Sequence, residues 1–236
     1  MKAFLLLLTV FVLHGCSGPS TPKEIEHILF IGNSYLYQNE GVDQHLNYLI
    51  QGTKNLEAHA DRAAEGRYHL MNHWDDPETQ ALFSSKKWDK IVLQEWGSGP
   101  LKKNAEFEKY VKKWANQLSS KNTNGKVLLF STWNYQSAKG MEDRLYDKYS
   151  KIAKEINAEV VPAGLLWKAI RKKVHLYAED GAHPNRKGTF VSACLFYERI
   201  FNRDVTKTEN TDPILSNAEQ TKLKRWVHQF NSSWHE

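Results

Sequence analysis

The stretch Ile28-Leu29-Phe30-Ile31-Gly32-Asn33-Ser34-Tyr35 decides the fold of this sequence of 236 residues. Its apolar first half is typical of a buried strand, and the Gly-Asn-Ser that follows is typical of the turn that ends such a strand. Similar short apolar runs alternate along the chain with longer segments of helical period. This alternation predicts a parallel sheet that is covered by helices on both faces, as a three-layer α/β/α sandwich.

The pattern predicts five strands, and these cover residues 27–32, 56–60, 90–94, 126–132 and 159–161. It also predicts six helices, which cover residues 42–51, 105–119, 144–156, 163–173, 187–201 and 217–230. The chain shows no internal repeat, no low-complexity tract and no change of composition between its parts. We therefore predict one domain over residues 25–236.

The composition favours a globular protein and argues against a nucleic-acid-binding one. Hydrophobic residues make up 41% of the chain and charged residues 25%, which is ordinary for a folded domain. The formal net charge is +5, but lysine and arginine are spread along the chain among acidic residues. A nucleic-acid footprint normally concentrates its basic residues on one face, so we expect a solvated basic surface and no nucleic-acid partner.

The N-terminus has the features of an export signal. Lys2 is followed by an apolar run over residues 3–13, which is too short to span a bilayer as a mature helix. Residues 1–15 are therefore predicted to be a signal peptide. The next residues, Leu13-His14-Gly15-Cys16, resemble a bacterial lipoprotein signal, although the histidine is unusual and leaves simple cleavage by an ordinary signal peptidase open.

The lipoprotein resemblance implies that Cys16 carries a lipid and that residues 16–24 are the lipidated N-terminus and a tether. The protein would then be lipid-anchored on the bacterial cell envelope, at its periplasmic or extracellular face, and would contact the membrane through the lipid only. Cys194 would remain as the single free thiol of the mature chain, so an intrachain disulfide is excluded. It lies in an apolar helical stretch, which favours a buried, inert thiol.

Polar residues follow several predicted strands at the point where each strand ends. In a parallel α/β sheet, the loops after the carboxyl ends of the strands converge on one crevice. We therefore expect four segments to lie on one rim: Gly32-Asn33-Ser34, residues 94–98, Trp133-Asn134 and residues 180–184.

Three of these residues could form a nucleophilic site. A serine becomes a nucleophile when a base can take its proton and a third group orients that base. Asp180 and His183 stand three residues apart in a turn that contains glycine, so the carboxylate can reach one ring nitrogen while the other faces Ser34. Taken separately, Asp-Gly-Ala-His-Pro can also be a capped turn before a helix, and Gly-Asn-Ser can be an ordinary turn.

Together and in this order, the two segments resemble the SGNH, or GDSL-type, hydrolase family. The family has a glycine, an acidic or amide residue and the nucleophilic serine after its first strand, and Asp-x-x-His-Pro near its end. Asn33 and Tyr35 depart from the common Gly-Asp-Ser-Leu. The resemblance implies a flavodoxin-like five-stranded parallel sheet, with Ser34 as nucleophile, His183 as general base and then acid, and Asp180 as its orienting partner.

The resemblance also implies three donors for the oxyanion: the backbone amide of Ser34, a glycine after the second strand and an asparagine after the third. Gly66 fits the position of the glycine, although it could equally be an ordinary loop glycine. The asparagine is missing, and Gln94 stands at the equivalent strand end. Its amide could donate the same hydrogen bond, or it could have a structural role there.

Two further groups are less diagnostic. His69 and His73 have the i, i+4 spacing of a helix and precede Asp75-Asp76, but without a third convincing ligand a surface helix is favoured over a metal site. We therefore predict no metal and no cofactor. Trp74, Trp96 and Trp133 stand in or beside predicted rim loops, where they could stack on a sugar ring or pack in the core.

The sequence thus predicts a serine esterase, with a small-molecule or glycan ester as substrate and a slight preference for O-acetyl groups on carbohydrate. Lipid and thioester substrates on the same site stay open as alternatives. A second alternative is a catalytically silent carbohydrate-binding lipoprotein that keeps the sheet. A flavodoxin-like cofactor binder is disfavoured, because the loop after the first strand lacks the glycine- and hydroxyl-rich phosphate cradle.

Overall fold

The computed structural model describes residues 25–138 and 140–234. The predicted signal peptide, Cys16 and the tether lie outside the described residues. Five parallel strands form one sheet in the order β2-β1-β3-β4-β5, with β1 near the middle and β2 at an edge. The strands are β1 (Glu26–Gly32), β2 (Ala58–Ala64), β3 (Lys90–Leu93), β4 (Lys126–Phe130) and β5 (Glu159–Val161).

The helices of the described residues lie between and after these strands. They are α1 (Ser34–Tyr37), α2 (Val42–Gln51), α3 (Leu70–Asp75), α4 (Pro77–Ser84), α5 (Gly99–Lys102), α6 (Asn104–Lys121), α7 (Met141–Ile156), α8 (Ala163–Ile170), α9 (Arg186–Phe201) and α10 (Asn217–Ser233). Short 3-10 turns cover Gln38–Glu40 and Val205–Lys207.

Strand β1 explains why the apolar run at the start of the sequence is almost unbroken. Ile28 and Phe30 face one hydrophobic core, which α2, α8, α9 and α10 cover, whereas Leu29 and Ile31 face a second core under α3, α4, α6 and α7. Successive side chains of a strand point to opposite faces, so a central strand with helices on both faces must be apolar at every position. The predicted three-layer α/β/α sandwich with a five-stranded parallel sheet is confirmed.

The structure corrects some of the predicted boundaries. Strand β2 covers residues 58–64 and not 56–60, because it is an edge strand whose sequence, AHADRAA, is only half buried and lacks a strong apolar run. The pattern also missed α1, α3, α4 and α5, which have four to eight residues each. Helices this short give too few turns for a clear hydrophobic period.

Two other features concern the predicted anchor and thiol. Within residues 25–138 and 140–234, no helix is both long and apolar enough to cross a membrane. Cys194 is completely buried in α9, and burial raises the pKa of its thiol well above the usual range, as expected for an inert core cysteine.

Candidate functional site

Ser34 lies at the carboxyl end of β1, as the first residue of α1. Asn33 caps this short helix, with its side-chain Oδ1 accepting a hydrogen bond from the backbone N–H of Tyr35 at 3.3 Å. The Nδ2 atom of Asn33 donates to the carbonyl oxygen of Tyr68 at 3.0 Å. An amide does both tasks, whereas an ionised aspartate has no proton to donate to Tyr68. This pairing gives a physical reason for asparagine at this position.

Asp180 and His183 are held together in a tight turn before α9. The Oδ1 atom of Asp180 accepts hydrogen bonds from the backbone N–H groups of Ala182 (2.9 Å) and His183 (3.0 Å), and its Oδ2 atom bonds with Nδ1 of His183. Gly181 has a φ of +63°, a left-handed conformation that glycine adopts without strain. The bond from His183 and that from the Ala182 amide lower the pKa of Asp180 to about 2.

The segment after β4 donates two hydrogen bonds to backbone carbonyls of this turn. The indole Nε1 of Trp133 donates to the carbonyl of Ala182 at 2.9 Å, and the backbone N–H of Gln136 donates to the carbonyl of Gly181 at 2.8 Å. Trp133 is itself completely buried. The turn from Asp180 to His183 is therefore attached to the segment after β4 by bonds that do not use the side chains of these two residues.

The structure brings Ser34, His183 and Asp180 together. His183 Nε2 lies 2.8 Å from the Oγ atom of Ser34, and its Nδ1 faces Asp180. A hydrogen on Nδ1 satisfies the carboxylate and leaves Nε2 to accept the hydroxyl proton, which is the arrangement that a nucleophilic serine requires. The triad opens onto a pocket of about 450 Å³ whose lining includes Ser34, His69, Trp96, Gly97, Tyr135 and His183.

Gly66 and Gln94 were predicted to donate hydrogen bonds to an oxyanion. The structure corrects this prediction, because neither residue lines the pocket. The backbone N–H of Gly66 donates to the Oε1 atom of Glu65 at 2.9 Å. The Gln94 side chain is completely buried, with Oε1 accepting from the backbone N–H of Asn33 (2.9 Å) and Nε2 donating to the carbonyl of Glu95 (2.5 Å). Gln94 therefore stabilises the Gly32-Asn33-Ser34 loop through a buried hydrogen bond.

Gly32 allows Gln94 to approach this closely. A Cβ atom at Gly32 would come within 2.5 Å of Gln94 Oε1 and 2.9 Å of Gln94 Cβ. Packing against Gln94 thus requires the glycine of the Gly-Asn-Ser turn.

Ser34 and Gly97, the latter in the loop after β3, line the pocket and each carry a backbone N–H. Ser34 is the first residue of a helix, so its N–H has no acceptor within that helix. Over the part of the chain that the structure describes, neither N–H has a hydrogen-bond acceptor. Sequence reasoning missed Gly97, although it stands in the segment 94–98 that was expected on the rim.

His69 and His73 do not form the expected surface helix, which is a second correction. His73 is buried, and its Nε2 donates to the carbonyl of Gly32 at 2.6 Å, directly behind the nucleophile turn. Burial lowers the pKa of His73, which favours the neutral ring. His69 lines the pocket, and its Nδ1 lies 2.6 Å from Oε1 of Glu95. A glutamate two residues after a buried strand was the signal that could have indicated this pair.

Only one of the three candidate rim tryptophans borders the pocket. The ring of Trp96 lies in the lining, and Lys102 Nζ is 5.9 Å from its centre. Trp133 is buried and stacks on Trp167 at 3.8 Å between ring centres, whereas Trp74 packs edge-on against Trp114 at 5.3 Å. A sugar-stacking role for Trp133 and Trp74 is therefore wrong.

Within the described ranges, one group of side chains has the spacing of a metal site, and it lies away from the pocket at Glu198, Asp204 and His228. Its atoms already bond with each other and with the chain: His228 Nδ1 lies 2.8 Å from Glu198 Oε1, which also accepts from the backbone N–H of Val205 at 3.0 Å. The group thus has the contacts of a salt-bridge cluster.

Comparison of the sequence with protein-family models and with curated proteins gives no match. Comparison of the structure with solved structures does give matches. The matching structures include SGNH hydrolases, and this chain, with its five-stranded parallel sheet, has their fold.

Three solved structures illustrate the likeness. A protein from Slackia heliotrinireducens assigned to the SGNH hydrolases is 22% identical, with a TM-score of 0.64 over 75% of this chain and 100% of that one. A DUF4886 family protein from Bacteroides uniformis is 18% identical, with a TM-score of 0.72 over 89% and 96%. An acetylxylan esterase from Geobacillus stearothermophilus, solved as a catalytic mutant, is 15% identical, with a TM-score of 0.61 over 76% and 95%.

Proposed function

We propose that this protein is a serine esterase that forms an acyl-enzyme on Ser34. The observation that carries the proposal is the continuous chain of contacts from Asp180 through His183 to the Ser34 hydroxyl at the base of a pocket. A serine far from any base would stay protonated and weakly nucleophilic. A 2.8 Å contact with an imidazole whose other nitrogen faces a carboxylate is what activates it.

The reaction then has two steps. Ser34 Oγ attacks the ester carbonyl while His183 Nε2 takes its proton, and the tetrahedral intermediate collapses as His183 returns that proton to the departing alcohol. Water next attacks the acyl-enzyme, with His183 again as base, and releases the carboxylic acid and free Ser34. Asp180 keeps the imidazole in one orientation and stabilises the imidazolium that forms in each step.

The backbone N–H groups of Ser34 and Gly97 are the proposed main-chain donors to the oxyanion. Both belong to pocket residues, and both lack an acceptor over the described ranges. Donors of this kind stabilise charge only as it develops on the carbonyl oxygen, so they lower the barrier without tightening binding of the ground state. Gly97 also lies beside two tyrosine hydroxyls, those of Tyr35 and Tyr135, which border the same space.

We propose O-acetyl groups on carbohydrate as the substrate class. One solved structure with this fold is an acetylxylan esterase. In this chain the pocket has a volume of about 450 Å³ and is lined by one tryptophan, the half-buried Trp96. Aromatic faces of this kind can pack against the apolar face of a sugar ring. Lipid and thioester substrates are the alternatives that a substrate panel separates.

The test is an assay of the purified domain, residues 25–236, on 4-nitrophenyl acetate and on acetylated xylan oligosaccharides. Ser34→Ala, shown by circular dichroism to be folded, is the matched variant. We expect the alanine variant to lose at least about a thousandfold in kcat. Equal activity of the two proteins would exclude Ser34 as nucleophile, and no activity of wild type on any ester would favour a silent binder.

We also propose that the protein is anchored on the bacterial cell envelope through a lipid on Cys16. The support is the sequence of residues 1–16, in which a charged start and an apolar run precede the cysteine. The full chain should fractionate with membranes, and Cys16→Ser should be released into the soluble fraction. Membrane retention of the serine variant at the level of wild type would exclude lipidation at this position.

A further inference from the structure

His69 occupies the active-site pocket without a role in the triad. It stands directly before α3, in the loop after β2, and its side chain is 20% exposed. Its ring centre lies 5.7 Å from that of Trp96, and both residues line the space above Ser34. His69 and His183 therefore enter one pocket from different loops, yet only His183 contacts the nucleophile.

A buried carboxylate fixes the orientation of His69. The Glu95 side chain is 4% exposed and receives three donors: Oε1 accepts from His69 Nδ1 (2.6 Å) and the backbone N–H of Trp96 (2.7 Å), and Oε2 accepts from the N–H of Leu70 (3.2 Å). Over the ranges that the structure describes, no lysine or arginine contacts Glu95. A buried carboxylate is stable when its charge is paired, so His69 is the cation available to it.

Pairing with Glu95 has a chemical consequence for the other ring nitrogen. Nδ1 is bonded to the carboxylate, so Nε2 is the ring nitrogen left for the pocket that His69 lines. The hydrogen bond to Glu95 raises the pKa of His69, against an opposing effect of burial. Lys103 and Glu106, at the junction of α5 and α6, also face His69 and act in opposite directions. The protonated ring offers an N–H at Nε2.

The two loops that carry this pair are those after β2 and β3. The SGNH resemblance predicted a loop glycine and a side-chain amide from these loops, but the Gly66 N–H is bonded to Glu65 and the Gln94 amide is buried. His69 and Arg67 are the charged side chains of the loop after β2 that line the pocket, and His69 is the one whose ring is bonded to a buried carboxylate.

We infer that His69 donates a hydrogen bond from Nε2–H to the oxyanion of the acyl-transfer step and that Glu95 is the residue that positions it. The inference rests on the proposed esterase function. The proton stays on His69, and no bond to that nitrogen breaks, because the Ser34 proton travels through His183 alone. A charged donor stabilises the oxyanion more strongly than a neutral amide does.

This role requires two histidines in opposite protonation states. His183 must be neutral to accept the serine proton, and His69 must be charged to donate most strongly. The profile of kcat against pH should therefore be bell-shaped, with the alkaline side reporting His69. Glu95→Gln keeps a hydrogen-bond acceptor but removes the charge, so the alkaline side should move to lower pH.

The experiment compares His69→Phe and His69→Gln with wild type on 4-nitrophenyl acetate between about pH 5 and 10. We expect phenylalanine to lower kcat by about a hundredfold or more with KM changed little, and glutamine, a neutral donor, to restore part of kcat and remove the alkaline decline. His59→Gln, an exposed histidine on β2 with 54% of its side chain accessible, is the matched control and should behave as wild type.

A second measurement does not depend on turnover. Reaction of wild type with diethyl 4-nitrophenyl phosphate should leave a tetrahedral phosphoryl group on Ser34, and its crystal structure should show a phosphoryl oxygen within hydrogen-bond distance of His69 Nε2. An oxygen out of reach of that atom, an unchanged kcat in His69→Phe, or a rise in KM alone would overturn the inference. If wild type neither hydrolyses esters nor reacts with the phosphate while His69→Phe is folded, the esterase proposal itself fails.

Discussion

The Oγ atom of Ser34 lies 2.8 Å from Nε2 of His183, although 149 residues separate the two in the chain. Two anchors produce this contact. The Asn33 cap fixes the start of α1, and the bonds from Trp133 and Gln136 hold the Asp180 to His183 turn above it. Ser34 and His183 are therefore positioned by the backbone and by buried side chains.

Asp180→Asn should lower kcat by roughly 10² to 10⁴-fold. The asparagine can still accept from the backbone N–H groups of Ala182 and His183, but its amide cannot stabilise the imidazolium or fix its tautomer. Steady-state kinetics with Glu179→Gln as control would measure this effect, because Glu179 is the exposed neighbouring carboxylate. A loss below threefold in Asp180→Asn would contradict an orienting role.

The acid side of the pH profile should not include the titration of Asp180. The hydrogen bond from His183 lowers the pKa of Asp180 to about 2, so this carboxylate stays charged throughout the working range. Activity should fall as the pH is lowered, because imidazolium cannot accept the Ser34 proton. A plot of log kcat/KM against pH should rise with a slope of one; a slope of two would show that a second group titrates there.

Gln94→Leu should affect stability more than catalysis. It leaves the buried N–H of Asn33 without its acceptor, which costs about 1–3 kcal/mol of the free energy of unfolding. Urea unfolding and kcat should be measured on the same preparation. A kcat reduced by a hundredfold at unchanged stability would instead make Gln94 an oxyanion donor.

Gly97→Ala and Gly66→Ala form a matched pair, because a Cβ at either position would lie 3.1 Å from a tyrosine hydroxyl, that of Tyr135 or Tyr37. Of the two glycines, Gly97 lines the pocket, whereas Gly66 does not and its N–H is bonded to Glu65. Gly97→Ala should therefore lower kcat about tenfold by displacing the Gly97 N–H. Gly66→Ala should leave kcat within about twofold. Equal losses in the two variants would contradict the assignment of Gly97.

Asp212→Asn should destabilise the protein by about 3–5 kcal/mol at neutral pH. Burial acts to raise the pKa of this carboxyl, but His45 Nδ1 at 3.1 Å, the Leu215 amide and Arg186 outweigh it and hold the pKa far below the usual range. The stabilisation that Asp212 contributes is therefore fully present above the pH range in which carboxyl groups ordinarily titrate. It is lost as the pH falls below that range.

Urea unfolding at about pH 7 and pH 3 should show this dependence in wild type and a weaker one in Asp212→Asn. Glu40→Gln removes an exposed partner of the same arginine, Arg186, and should cost less than about 1 kcal/mol. If Glu40→Gln lowered the free energy of unfolding as much as Asp212→Asn, the burial of Asp212 would not explain the contribution of its contacts with His45 and Arg186.

Much of the fold could be predicted from the sequence. Strand β5 and helix α2 have the predicted bounds, and β1 differs by one residue, because each carries a dense apolar pattern. The prediction was weakest at β2, because an edge strand lacks that pattern. It also missed helices α3 and α4, which are too short to show a clear hydrophobic period.

The candidate triad was also accessible from sequence. Ser34 ends an apolar strand, and Asp180 and His183 are three residues apart, so local geometry and the rule that loops meet at the carboxyl edge suffice to bring them together. Local sequence also selected the left-handed Gly181, since the turn between the two partners needs it.

The surroundings of Ser34 were decided by tertiary structure alone. Gln94 stands at the predicted strand end, but its amide turns under the Gly-Asn-Ser loop because the absent side chain of Gly32 leaves room there. His69 turns into the pocket because Glu95, 26 residues away, binds its Nδ1. Such long-range contacts determine which donors face the reacting carbonyl. They cannot be predicted from the spacing of residues along the chain.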